Sequence, residues 1–124
     1  MSNDVSRPLK ITIAGVRGVV GETLTPELLV NFSQAFGTWV GPGRVLVSRD
    51  TRPSSVMVAP CVFSGLTAAG CEVVDLGVCP TAALQLAVKS SDAVGGIAIT
   101  AGHNDARWNA LKFCRADGIY LNPK

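Results

Sequence analysis

Apolar and polar positions alternate along Leu9-Lys10-Ile11-Thr12-Ile13, the mark of a half-buried first strand. Thr25-Pro26-Glu27 then opens a helix: a threonine to cap it, a proline where no N–H is needed, and an acid in the first turn. Leu28, Phe32, Ala35, Phe36 and Trp39 follow at three- and four-residue spacing and predict the core-facing stripe, before Gly41-Pro42-Gly43 stops the helix. Val45-Leu46-Val47 is apolar on both faces, as a central parallel strand requires. Ser54 to Ala69 predicts a second helix ended by Gly70, with Pro60 inside it expected to kink or break it. Val73 to Leu76 predicts a third strand, and Thr81 caps a short helix bearing Leu84, Leu86 and Val88. Ile97 to Ile99 predicts a buried strand and Trp108 to Phe113 a further extended run. Asp117-Gly118 turns the chain so that Ile119 to Leu121 can pair with Leu111 to Cys114 as a hairpin.

Alternating strands and helices predict an α/β class: a three-layer α/β/α domain with a mostly parallel, mixed sheet. The 124 residues suffice for one domain and not for two. Hydrophobic residues at 48% against 16% charged predict a folded chain. A net charge of +2 argues against a nucleic-acid partner, and no apolar run has the length of a membrane span. Met1-Ser2-Asn3-Asp4 begins no signal peptide. Cys61, Cys71, Cys79 and Cys114 lack CxxC spacing, so they read as reduced core thiols of a cytoplasmic protein ahead of metal ligands.

Three segments carry candidate chemistry. Ala14 to Gly21 is glycine-rich and holds Arg17; its glycines follow GxxGxxG, not the GxGxxG dinucleotide pattern, and it reads as a loop with some capacity for anions. Ser48 to Pro53 holds Arg49, Asp50 and Arg52, a solvated loop with an internal ion pair or a frame for a site. Thr100 to Asp105 follows a buried strand and contains Gly102, the sole histidine His103, and Asn104; Lys112 lies beyond it. Ligands of open α/β sheets bind beyond the carboxyl ends of strands, so these loops are expected at one edge. Two arginine-bearing loops beside a Gly-His-Asn loop suit an anion, phosphate above all.

These residues also resemble a family. Thr100-Ala101-Gly102-His103-Asn104-Asp105 with Asn109-Ala110-Leu111-Lys112-Phe113 is similar to the phosphoserine loop of the α-D-phosphohexomutases, Thr-Ala-Ser-His-Asn-Pro with Asn-Gly-Ile-Lys-Phe. Gly15-Val16-Arg17-Gly18 matches the family's Gly-Ile-Arg-Gly, and Arg49-Asp50-Thr51-Arg52-Pro53-Ser54 matches its Arg-Asp-Thr-Arg-Pro-Ser; Thr12-Ile13-Ala14 departs from its Phe-Gly-Thr. The resemblance runs from about Leu9 to Leu121, the first of four family domains. It implies a fragment or excised domain of an enzyme interconverting hexose 6- and 1-phosphates. Trp108 to Phe113 is most similar to the phosphoglucosamine and phosphomannose mutase-like branch.

By position, Gly102 stands where the family carries its phosphoserine, and glycine offers no oxygen nucleophile. The resemblance assigns acid–base and electrostatic roles to His103 and Lys112, and phosphate or substrate contact to Arg17 and Asn104. Arg49, Asp50 and Arg52 shape the site. It implies Mg2+ in the parent family, held by the phosphoserine and an Asp-Gly-Asp-x-Asp loop of the second domain. No tight metal binding is expected of this chain. The sugar-recognition and phosphate-binding loops of the third and fourth domains also lie outside it. Expected partners are a hexose phosphate or phosphate anion held weakly, and either further domains or a second copy. A binding module retaining only phosphosugar or protein contacts is the alternative.

Overall fold

A computed structural model describes residues 9–12, 15–102 and 105–121. Six strands, β1 (Leu9–Thr12), β2 (Gly15–Val19), β3 (Arg44–Arg49), β4 (Glu72–Val78), β5 (Gly95–Ile99) and β6 (Trp108–Arg115), form one sheet in the order β1-β2-β6-β5-β3-β4. The helices are α1 (Pro26–Val40), α2 (Ser55–Ala68) and α3 (Thr81–Lys89). The three-layer α/β/α architecture agrees with the reading of the sequence, but the sheet is less parallel than expected. Only β3 with β4 and β3 with β5 run parallel, whereas β1–β2, β2–β6 and β5–β6 are antiparallel. The short connections to β2 and β6 explain this, since only antiparallel strands can be joined without a long crossover.

One face of the sheet carries α1 and α2 over Val16, Val45, Val47, Ile97, Ile99, Leu111 and Phe113. The other carries α3 alone, over Leu46, Ala98 and Cys114. Because α3 packs on β3, β5 and the Cys114 end of β6, the same face of β1, β2 and the Ala110 to Lys112 stretch of β6 has no helix packed on it among the described residues.

The two helices on the first face approach closely. A Cβ on Gly65 of α2 would lie 2.5 Å from the Val30 carbonyl oxygen and 2.7 Å from Ser33 Cβ. This contact turns α1 slightly from the predicted stripe. Leu29, Ser33, Phe36 and Gly37 are buried, Leu28 and Phe32 are half-buried, Ala35 is exposed, and Trp39 is 63% exposed. Small Ser33 and Gly37 face the neighbouring helix because nothing larger fits there.

Three further expectations change. Gly15–Val19 is strand β2, not a loop; a Cβ on Gly15 would sit 2.1 Å from the Leu111 carbonyl oxygen, so glycine there lets β2 lie against β6. Pro60 does not break α2, because the proline is exposed and its unpaired acceptor, on exposed Val56, can turn to water. Thr81 does not cap α3: Pro80 holds the cap position and Thr81 is the first helical residue. The hairpin after Asp117-Gly118 shrinks to a single bridge between Cys114 and Tyr120, flanked by Leu121 N–H donating to the Phe113 carbonyl at 2.8 Å.

Candidate functional site

The segment after β5 is held chiefly by one arginine. The Arg52 guanidinium donates to the carbonyl oxygens of Gly102 (2.8 Å), Asp105 (2.6 Å) and Trp108 (3.3 Å). Its Nε donates to Asp50 Oδ2 at 3.0 Å, and the Asp50 carboxylate also accepts the Arg52 N–H at 3.0 Å. The Arg52 side chain is 14% exposed, so this network is sheltered enough to hold geometry. Arg52 and Asp50 thus fasten the loop after β3 to the loop after β5.

Asn109 adds a second fastening. Fully buried, its Nδ2 donates to Ser54 Oγ (2.9 Å) and Ser55 Oγ (3.2 Å), tying β6 to the start of α2. Ser55 Oγ in turn donates to Asp50 Oδ1 at 3.4 Å. Motif matching assigned Asn109 no role beyond its place in the motif. A buried asparagine within an apolar strand was the available signal, because such a group must find partners.

Gly102 is exposed and lies at φ +63, where L side chains are disfavoured. Its N–H donates to Thr100 Oγ1 at 3.2 Å, closing a small turn. A Cβ there would meet nothing within 4 Å, so a larger residue has room but pays in backbone conformation. His103 and Asn104 lie outside the described residues. On the far side of the turn, Arg107 bonds the Asp105 carboxylate and holds it below the usual carboxylate range.

Arg17 and Lys112 lie on the part of the sheet face that has no helix packed on it among the described residues. Arg17 is opposite Ala110, and Lys112 is opposite Gly15 on one side and Ala98 on the other. Cross-strand partners share a face, so Lys10, which is opposite Arg17, joins them. Lys10, Thr12, Arg17, Lys112 and Tyr120 line an open cavity of about 360 Å³ whose lining contains three cations and no acid. The carbonyl of Ala110 accepts the Thr100 N–H at 3.0 Å, which sets this face directly beside the Gly102 turn. Arg17 therefore acts from a strand and not from a loop. Lys10 was missed by motif matching, although the alternation Leu9-Lys10-Ile11-Thr12 already set Lys10 and Thr12 on one face.

Arg49 points elsewhere. Its guanidinium is 3.5 Å from the Asp75 carboxylate, and no contact with the Gly102 turn accompanies it. The sequence's site residues thus divide into a clamp (Asp50, Arg52), a cationic face (Arg17, Lys112) and an arginine apart from both (Arg49).

The described residues do not supply a magnesium site. No three of their His, Cys, Asp or Glu side chains group so as to hold a metal ion. Gly102 offers only a backbone oxygen, which Arg52 occupies, and the Asp105 carboxylate is taken by Arg107. Among the described residues no helix is long and apolar enough to cross a membrane.

The family model for phosphoglucomutase/phosphomannomutase, alpha/beta/alpha domain I, matches residues 9–124. A phosphoglucosamine/phosphogalactosamine mutase of Sulfurisphaera tokodaii is 47% identical over 108 residues, 86% of this chain and 24% of that protein. A phosphoglucomutase/phosphomannomutase of Thermococcus kodakarensis is 42% identical over 112 residues, 86% of this chain and 25% of its own length. A crystal structure of a phosphoglucomutase/phosphomannomutase family protein from Burkholderia thailandensis superposes with a TM-score of 0.77 at 32% identity, covering 87% of this chain and 26% of that one. The chain spans about a quarter of the length of the relatives it matches. With the fold, the motif order and the matched model in agreement, the chain belongs to the phosphohexomutase family and corresponds to its N-terminal α/β/α domain I.

Proposed function

We propose that this chain is the phosphoryl-binding domain of a phosphohexomutase, that Gly102 stands at the phosphoserine position, and that the chain by itself catalyses no transfer. The observation that carries the reading is the gathering of Lys10, Arg17 and Lys112 on one face beside the Gly102 turn. Three cationic side chains lining one cavity suit a phosphoryl group, whose oxygens accept several charge-assisted hydrogen bonds. Arg17 can present two parallel N–H donors, while Lys112 supplies a compact charge. Transfer needs a nucleophile as well as stabilised charge, and Gly102 has no side-chain oxygen to be phosphorylated. His103 adjoins Gly102 in sequence and keeps the role of proton carrier in this reading. Hexose phosphates are the substrate class, further domains of a longer protein are the partners, and the cytoplasm is the compartment.

The conformation of Gly102 favours one variant of this reading. At φ +63 the turn suits glycine, so restoring serine asks the backbone to bear a strain of about 1 kcal/mol or to reshape. A loop settled around glycine fits a domain that binds phosphosugars without being phosphorylated.

The test is an amide-resolved NMR titration with inorganic phosphate and with glucose 6-phosphate. Shifts on β2 and β6 should saturate in the range of about 1 mM or weaker, because few groups contribute. Arg17→Ala should abolish them. Shifts indifferent to Arg17→Ala would remove the cationic face from the reading. A coupled assay for hexose 1-phosphate, with magnesium and a bisphosphate primer, should show no turnover for the chain or for Gly102→Ser; turnover by either would refute the claim of inactivity.

A further inference from the structure

A second cavity, of about 280 Å³, opens at the carboxyl ends of β3, β4 and β5, away from the cationic face. Ser48, Arg49, Asp50, Cys79, Thr81 and Thr100 are among the residues that line it. Ser48 pairs with Ala98 on the α3 side of the sheet, and the residue is 1% exposed. Ser48 is one of the residues lining the cavity. A serine hydroxyl can donate a hydrogen bond to an anion seated there.

The surrounding groups are those that complete an anion. The α3 N-terminus faces the same space: Pro80 supplies no side-chain cap, and the N–H groups of Thr81 and Ala82 have no intrahelical acceptor. Arg49 contributes a guanidinium that makes no hydrogen bond among the described residues; its pairing with Asp75 is a 3.5 Å contact, and Asp75 Oδ1 already accepts the Gly77 N–H at 2.8 Å. Asp50, the acid in the lining, is engaged by Arg52 and Ser55. Thr100 Oγ1 accepts the Gly102 N–H, which leaves its own hydrogen to donate.

We propose that this cavity is a second phosphoryl-binding site, formed by Ser48, Arg49, Thr81, Thr100 and the α3 N-terminus. It does not rest on the role given to Arg17 and Lys112. It touches the Gly102 turn through Thr100, so its occupant would steady that turn from below. Free phosphate and the phosphoryl end of a phosphate monoester share the chemistry that these donors recognise.

Inorganic phosphate and glucose 6-phosphate titrations of the full 124-residue chain test it, read at the amides of Arg49, Thr81, Ala82 and Thr100. Saturating shifts there are expected in the chain as it stands and equally in Arg17→Ala. Arg49→Gln should weaken them about tenfold, and Ser48→Ala, which leaves the strand intact, about threefold. Tighter saturation by glucose 6-phosphate would assign a phosphate monoester, and equal or weaker saturation free phosphate. Absence of shifts at these amides, shifts unchanged by both Arg49→Gln and Ser48→Ala, or shifts lost in Arg17→Ala would each overturn the second site.

Discussion

The two halves of the sheet are built from the same backbone and do opposite things. Over β3, β4 and β5, helices lie on both faces, and Leu46, Val47 and Ile97 are buried among apolar neighbours. Over β1, β2 and β6, α1 and α2 close one face, and Lys10, Arg17 and Lys112 occupy the other. The covered half gains stability from apolar burial; the uncovered half keeps like charges side by side, which folding alone does not reward. The difference teaches where to look for function: in charge of one sign that the fold gathers on one face.

The largest effect should come from the covered half. Gly65→Ala puts a methyl group into the backbone of α1 and should cost about 3 kcal/mol, read as a drop in the denaturation midpoint. A loss under about 0.5 kcal/mol would mean that α1 and α2 can separate freely, and the tight packing assigned to that face would be wrong.

The junction between the halves comes next. Arg52→Ala removes three carbonyl bonds and the pair with Asp50, and should cost about 2 kcal/mol. Faster amide exchange confined to Thr100 through Trp108 is the signature to seek. Arg52→Lys should recover little of it, since an ammonium cannot reach the same carbonyls as a fork. Uniform loss of protection across the chain would instead make Arg52 a general stabiliser.

Alkaline pH probes the seam under α3. Burial pushes the Cys114 thiol up to about 11, with Asp117 adding to the shift, and pushes the Tyr120 hydroxyl up to about 12. Both groups keep their protons longer in the folded chain than in the unfolded one. Stability contributed by the neutral forms is therefore complete below pH 9 and falls as pH climbs from 9 toward 11 and 12. Thermal melts at pH 8 and pH 10.5 check the sign, and Cys114→Ala should flatten the decline. A midpoint that rises over that interval contradicts the burial of both groups.

The smallest effect belongs to the uncovered half. Lys10→Gln removes a cation directly opposite Arg17 and should raise stability by about 0.5 kcal/mol at low ionic strength. The gain should shrink in 0.5 M salt. At the same time phosphate binding on that face should weaken. A variant that loses stability would show that Lys10 serves the fold and not the anion.

The strands and helices were readable because period-two and period-3.6 patterns are local consequences of which face is buried. Failures came where one element leans on another. Gly15 looks like loop glycine until Leu111 is known to lie against it, and the facing of α1 was decided by Gly65 of a different helix. The motifs singled out Arg17, Arg52 and Lys112, but could not say that Arg52 reaches across to Gly102. Ser48 stood out in the sequence only as a serine where the family's motif has glycine, with nothing to say that it lines a cavity.

What the sequence determined alone, then, was most of the strands and helices and the family, since periodic patterns and motif order need no coordinates to be noticed. Only the tertiary structure decided that Lys10 stands beside Arg17, that half of one sheet face has no helix on it among the described residues, and that Ser48 lines a cavity beside the α3 N-terminus. Those facts depend on strand order and on where helices stop. Both are set by long-range packing among residues that the chain keeps far apart in sequence.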